Sequence, residues 1–273
     1  MTQFNDRTVL ITGGARGLGK LIAARCVRER AGRIFLWDVD EALLVQTAGE
    51  LRKLGGTIET ATVDIARPDQ IERQAQILAG AFGPVQILFN NAGIVVGKRF
   101  GAHTADDIER SMRINAIGPM HVARAFLPGM IECEQGHIVN IASAAGLVPN
   151  PNLSVYTASK WAVLGWSESL RLELESASPG VHVTTVCPSY ADTGMFAGAR
   201  APRLTSILKP EVLVDRIVHA VQANRILLRT PRIINLLPFL RGALPARAFD
   251  VLVGRSLRIY SSMDGFTGRP DQR

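Results

Sequence analysis

Tyr156 and Lys160 stand four residues apart, and Ser143 precedes the tyrosine by thirteen. On a helix a spacing of four puts two side chains on one face. A phenol of pKa about 10 is a poor base near neutrality, so a tyrosine that moves protons needs a cation beside it. Lys160 supplies that cation, and Ser143 can hydrogen-bond a substrate oxygen and steady a developing alkoxide. The three side chains suit proton transfer to or from an alcohol whose hydride is handled by a cofactor. A Tyr-x-x-x-Lys pair alone is common on helix surfaces. Its weight here comes from Ser143 and from a nucleotide-type turn upstream.

That turn follows the apolar run Thr8-Val9-Leu10-Ile11-Thr12 and reads Gly13-Gly14-Ala15-Arg16-Gly17-Leu18-Gly19, with a helical pattern from Leu21 to about Glu29. Glycines let the backbone approach a pyrophosphate, and the helix N-terminus offers free N–H groups and a positive dipole end. The next apolar run, Arg33 to Trp37, ends in Asp38. A carboxylate about 20 residues past the glycines can bond both ribose hydroxyls of NAD and repel the extra phosphate of NADP. Arg16 pulls toward NADP; the opposing carboxylate makes NAD the expected cofactor, with NADP as the alternative.

The elements that must position these groups alternate in type. Further strands are expected at 57–64, 85–90, 137–141 and 181–186, with helices between them, such as 69–81 and 161–175. This alternation predicts an α/β fold, a doubly wound parallel sheet of Rossmann type with helices on both faces and ligands at the C-terminal strand ends. Within a single domain, residues 1–197 are read as the dinucleotide-binding catalytic part and residues 198–273 as a C-terminal extension that covers the substrate.

The ordered set Thr12-Gly13-x-x-x-Gly17-x-Gly19, Asp64, Asn90-Asn91-Ala92-Gly93, Asn115, Ser143 and Tyr156-x-x-x-Lys160 resembles the short-chain dehydrogenase/reductase family over about Asp6 to Gly198. The resemblance implies a catalytic set of Tyr156, Lys160, Ser143 and Asn115, the last in a water relay behind Lys160. It implies a cofactor set of Gly13, Arg16, Gly17, Leu18, Gly19, Asp38, Asp64, Ile65, Asn91, Ala92, Gly93, Tyr156, Lys160 and Thr193. Asp64 would meet the adenine edge, Asn91-Ala92-Gly93 would line the cofactor and stiffen the sheet, and Thr193 would hold the nicotinamide carboxamide. Where the family usually has Pro-Gly, this chain has Pro188-Ser189. The helices around Asn115 and Tyr156 would form the face of a homodimer or homotetramer.

The tail, with Pro231-Arg232 and Ser262 to Arg269, resembles the branch of epidermal-type retinol dehydrogenases and related hydroxysteroid dehydrogenases, as does Asp192 to Phe196. The resemblance implies a hydrophobic alcohol, ketone or aldehyde of steroid, retinoid or long-chain type, with Met195 and Phe196 in a lid. The N-terminal hydrophobic anchor common in that branch is not expected, because the first strand begins almost at the N-terminus.

The net charge of +7 is unevenly placed: residues 198–273 hold 13 Lys/Arg against 5 Asp/Glu, a net of +8, and residues 1–197 hold 18 against 19. A basic extension suits an acidic surface. Pro210 to Ala223 reads as a helix. Ile226 to Val253 mixes apolar residues with Arg229, Arg232, Arg241 and Arg247, which fits either peripheral contact with anionic lipid or packing on the domain or across an oligomer contact. No aromatic stacking platform accompanies the arginines, so nucleic acid is not expected. Three unpaired cysteines and no signal-peptide pattern suggest a reducing, cytoplasmic setting, and five scattered histidines offer no metal spacing. Two alternatives stay open. One is an NADPH-dependent reductase of β-ketoacyl thioesters; the other is a peripheral membrane protein that binds nucleotide without turnover.

Overall fold

The computed structural model describes residues 1–269. Seven strands form one parallel sheet: β1 (Thr8–Thr12), β2 (Arg33–Asp38), β3 (Ile58–Thr62), β4 (Ile87–Asn90), β5 (Gly136–Ile141), β6 (Val181–Pro188) and β7 (Leu227–Thr230). Their order across the sheet is β3-β2-β1-β4-β5-β6-β7. The chain therefore leaves β1 in one direction, returns, and continues from β4 in the other. The crevice between β1 and β4, at the C-terminal strand ends, is where such a sheet offers a ligand site.

The strands are nearly continuous apolar runs because both sheet faces are covered. Val9 and Ile11 of β1 pack with Ile34 and Leu36 of β2 under α1 (Gly17–Arg28), α2 (Glu41–Lys53) and α7 (Pro210–Gln222). The alternate residues Leu10, Phe35 and Trp37 face α3 (Pro68–Phe82), α5 (Gly118–Glu132) and α6 (Ser154–Ala177). Asp40 caps α2 by accepting from Leu43 N at 3.0 Å, and a reciprocal Thr104–Asp107 box starts α4 (Ala105–Met112).

Six strands and the helix beginning at Pro210 stand where the sequence predicts them, within a few residues. Two features differ. The helix expected from Trp161 begins at Ser154, so the whole Tyr156–Lys160 stretch lies in its first two turns. Leu227–Thr230, read within the apolar arginine-rich segment, is a seventh strand paired in parallel with β6. Beyond it, α8 (Leu236–Ala243), α9 (Ala246–Phe249) and a π-helical stretch, Asp250–Arg255, form a cap. The cap packs Phe249, Val253 and Ile259 against Val148, and it leaves Leu236, Phe239, Val251 and Leu252 exposed. Among the described residues no helix is long and apolar enough to cross a membrane.

Candidate active site

A cavity of about 340 Å³ runs along the C-terminal strand ends, from the glycine turn to the cap. Gly13, Arg16, Gly17, Leu18, Asp38, Asp64, Ile65, Asn91, Ala92, Gly93, Ser143, Tyr156, Lys160 and Thr193 line it. Asn115 and Gly19 lie just behind that wall.

The nucleotide end is built by close backbone approach. Gly13 and Gly17 hold φ of +64° and +56°, which side-chain-bearing residues rarely adopt. A methyl group on Gly19 would come 2.1 Å from the Gly13 carbonyl oxygen, so α1 can start against the turn only with glycine there. Asn91 staples β4 to this turn, its Nδ2 donating to Thr12 O at 2.9 Å and Gly13 O at 3.1 Å. The Thr12 hydroxyl accepts from the backbone of Asn91 and Ala92, both at 3.1 Å. Asp38 closes β2: Oδ2 accepts from Ala15 N at 3.1 Å, and Oδ1 from Val39 N at 2.8 Å and Asp40 N at 3.3 Å. A carboxylate has about four lone-pair sites, so Asp38 braces the turn and still has acceptor capacity toward the cavity. Asp64 Oδ1 accepts from Ala66 N at 2.9 Å, which turns the backbone after β3. The glycine cradle, the α1 N-terminus and the open carboxylate fit a dinucleotide.

The chemical end gathers the four side chains that the sequence singles out. Ser143, just after β5, accepts from Ala145 N at 3.1 Å through Oγ, which leaves its O–H to donate. Lys160 is buried and donates to Ile141 O at 2.8 Å; its Nζ lies 5.8 Å from the Tyr156 ring centre. Burial pushes the Lys160 ammonium down to about 8, with Cys187 nearby opposing the shift slightly. Burial also raises the Tyr156 phenol well above its ordinary value, an effect that the Ser143 hydroxyl partly offsets and Tyr190 reinforces.

Asn115 sits on a π-helical stretch, Arg113–Ile117, wedged between α4 and α5. One wide turn of this kind redirects a side chain inside an otherwise continuous helix. Asn115 accepts from Ile94 N at 2.8 Å and donates to Ile94 O at 2.9 Å and Ser159 Oγ at 3.2 Å. Ser159 in turn donates to Tyr156 O at 2.7 Å, so Asn115 is tied to the backbone that carries the tyrosine. Gly93 keeps the space open: a Cβ there would stand 3.2 Å from Asn115 Oδ1 and 3.8 Å from Lys160 Nζ.

Residues outside the expected catalytic and cofactor sets complete the wall. Tyr190 bonds Ser262 Oγ at 2.8 Å and receives Asn150 Nδ2 at 3.0 Å, joining three distant loops. Phe196 meets Tyr156 and Tyr190 edge-on, at 5.8 and 5.1 Å between ring centres. Val148, Leu153, Ile234, Leu237, Leu257 and Ile259 supply an apolar ceiling. No spacing rule marks these loop residues, although Phe196 and Met195, expected in a lid, do line the cavity.

The short chain dehydrogenase family model matches residues 7–203. Mouse epidermal retinol dehydrogenase 2 is 37% identical over 265 residues, covering 96% of this chain and 85% of that one. Rat estradiol 17-beta-dehydrogenase 11 is 32% identical over 265 residues, covering 97% and 87%. Among solved structures, a short-chain dehydrogenase/reductase from Burkholderia phymatum in complex with NAD aligns with a TM-score of 0.81 at 28% identity, covering 89% of this chain and 95% of that one. A short-chain dehydrogenase from Sphingobium yanoikuyae in complex with NADPH aligns at 0.77 and 30%, covering 87% and 93%. The glycine turn at the sheet's switch point and the Ser143, Tyr156 and Lys160 cluster fall inside the matched span, and the chain belongs to the short-chain dehydrogenase/reductase family.

Proposed function

We propose that the chain is a nicotinamide-dependent oxidoreductase, preferring NAD(H), that interconverts a hydrophobic alcohol with its ketone or aldehyde, of steroid, retinoid or long-chain size. The observation that carries this reading is one cavity with Ser143 and Tyr156 on its floor and an apolar wall from Val148, Leu153, Phe196, Leu237 and Ile259 above them. Such a chamber holds a large apolar substrate and presents hydrogen-bonding groups mainly at the reacting oxygen. The names of the retinol and estradiol dehydrogenase relatives fit that substrate class.

When bound, the nicotinamide nucleotide supplies hydride-transfer chemistry. Gly13, Arg16, Gly17, Leu18 and Gly19 would hold its phosphates, Asp38 its ribose, Asp64 and Ile65 its adenine, and Asn91 to Gly93 with Thr193 its nicotinamide side. The O–H of Ser143, within hydrogen-bond reach of Tyr156, donates to the substrate oxygen. In reduction the Tyr156 phenol gives its proton to that oxygen; in oxidation it receives one. Lys160 steadies the phenolate, and Asn115, through Ser159, holds the Tyr156 backbone in place while sitting where a relay behind Lys160 would pass. Excluding water from this buried floor strengthens each of these interactions.

For partners, the reading extends to a homodimer through α5 and α6, where Met120, Leu127, Ile131 and Trp166 line a shallow groove. It also extends to peripheral membrane contact through the outer side of the cap. Phe239, 70% exposed, stands there with Leu236, Val251 and Leu252.

The test is turnover of purified protein with NADH and NADPH against a panel of apolar ketones, aldehydes and alcohols, beside Tyr156→Phe. Turnover with NADH that falls about a thousandfold or more in Tyr156→Phe supports the reading. Preference for NADPH would move Arg16, which lines the same end as Asp38, to the centre. Full turnover by Tyr156→Phe, or none by the wild type with either nucleotide, would overturn it.

A further inference from the structure

The last described residues return across the cavity to its nucleotide end. Thr267 N donates to Ala197 O at 2.9 Å, Gly268 N reaches the same oxygen at 3.3 Å, and Arg200 N donates to Ser262 O at 2.8 Å. Met263 is buried beside Tyr156 and Leu153. Gly97 admits the Phe266 ring so closely that a Cβ there would come 2.4 Å from it. The tail is thus strapped to the loop after β6 over several residues, and its end is delivered to one place.

That place is the glycine turn. Arg269 Nη2 donates to Thr193 O at 2.5 Å, and it lies 3.0 Å from where a Cβ on Gly17 would be. Its Nε lies 3.6 Å from the corresponding point on Gly194. The guanidinium therefore bridges the first residue of α1 and the loop bearing Thr193, the two walls of the seat that the glycines leave open. Arg16 lines the same cavity one residue before α1. An anion is favoured at the N-terminus of a helix such as α1. A guanidinium also matches phosphate oxygens with a fork of donors.

We propose that Arg269 is a pyrophosphate-binding residue, supplied by the C-terminal tail and absent from the glycine motif itself, so that the strap and the cofactor hold one another in place. This rests on the nucleotide reading of the cavity. It makes the tail part of the cofactor site as well as of the substrate cover.

The test is direct binding, without turnover, of NADH by fluorescence and of ADP-ribose by calorimetry, to wild type, Arg269→Gln and Arg269→Lys in the full chain. Loss of a charge-assisted hydrogen bond should weaken both ligands about tenfold in Arg269→Gln, with part of the affinity kept in Arg269→Lys. Both ligands should weaken equally, because both carry the pyrophosphate. Raising the salt concentration should narrow the gap between wild type and Arg269→Gln. Unchanged ADP-ribose affinity in Arg269→Gln would overturn the proposal. So would tighter binding, which would mean that the side chain obstructs the seat, or a loss confined to NADH, which would place the contact at the nicotinamide. A wild type that binds neither ligand would overturn the nucleotide reading itself, a result distinct from wild type and variant binding alike.

Discussion

Gly19→Ala tests how tightly the nucleotide end is built. The new Cβ would stand 2.1 Å from Gly13 O and 2.7 Å from Asn91 Nδ2, both well inside ordinary contact. Gly13 O is backbone, and Asn91 is held by two hydrogen bonds to the same turn, so neither can yield without moving β1's end or the start of α1. Overpacking of this kind costs about 1–3 kcal/mol, and displacing the Asn91–Gly13 bond costs about 1 kcal/mol more. Alanine's better helix propensity returns about 1 kcal/mol. The net loss is about 2 kcal/mol, or a Tm lower by roughly 3–4 °C for a chain of this size. Because the seat itself shifts, NADH affinity should fall at least tenfold. Thermal unfolding with NADH titration is the assay. A Tm within a degree of wild type together with unchanged NADH affinity would refute the argument that backbone contact at Gly19 sets the turn.

Gly49→Ala provides the contrast: Gly49 lies inside α2, and a Cβ there meets nothing within 4 Å. The substitution should stabilise by about 0.5–1 kcal/mol in denaturant unfolding, with NADH affinity unchanged. Asp38→Ser should move preference from NADH toward NADPH by about tenfold or more in the ratio of kcat/KM; an unmoved ratio would remove the ribose role assigned to Asp38. Carbonyl reduction should fall as pH rises through about 8, where the buried Lys160 ammonium loses its charge, and a flat profile from pH 7 to 9 would contradict that. His137, buried between Thr2 Oγ1 and Thr184 Oγ1 at 2.8 Å each, is held neutral because burial pushes its pKa down to about 3. The unfolded chain binds the extra proton below about 6.5, so stability should drop as pH falls from there toward 3, by a few kcal/mol. His137→Gln should flatten urea midpoints over that range, and an equally steep loss in the variant would assign the acid sensitivity elsewhere.

Much of this arrangement is legible in the sequence, for physical reasons that differ by element. Strands buried on both faces must be short apolar runs, so β1, β2, β4, β5 and β6 announce themselves. β7 does not, because four residues at the sheet edge, Leu227–Thr230, alternate buried and half-buried with Arg229 among them and merge into a longer apolar stretch. Glycines at fixed offsets disclose the turn, since only they fit its φ values and contacts. Asn115 is found by its place in the ordered motif, but nothing in Arg113–Ile117 advertises a π-helical turn. Tyr190, Asn150 and Ser262 are beyond any local rule: their hydrogen bonds join residues 40 and 72 apart on loops whose courses are set by tertiary packing. Arg269 reaches Thr193 across 76 residues for the same reason.

The electrostatics of the floor follow from the burial that makes the cavity apolar. Enclosing Tyr156 and Lys160 disfavours the charged form of each, which raises the phenol and lowers the ammonium. The phenol is therefore protonated throughout the physiological range, the state that a carbonyl substrate needs in order to be reduced. Oxidation needs the phenolate, and the polar contacts around Lys160 bear on that requirement. The Ile141 carbonyl at 2.8 Å favours the charged ammonium, and the charged ammonium favours the phenolate. An apolar substrate that seals the chamber strengthens this coupling, since like dehydration of both groups lowers the local dielectric between them. On this argument the cap of Leu237, Leu257 and Ile259 acts on the proton as well as on the substrate: opening the cap with smaller side chains should weaken the Tyr156–Lys160 coupling even where substrate still binds.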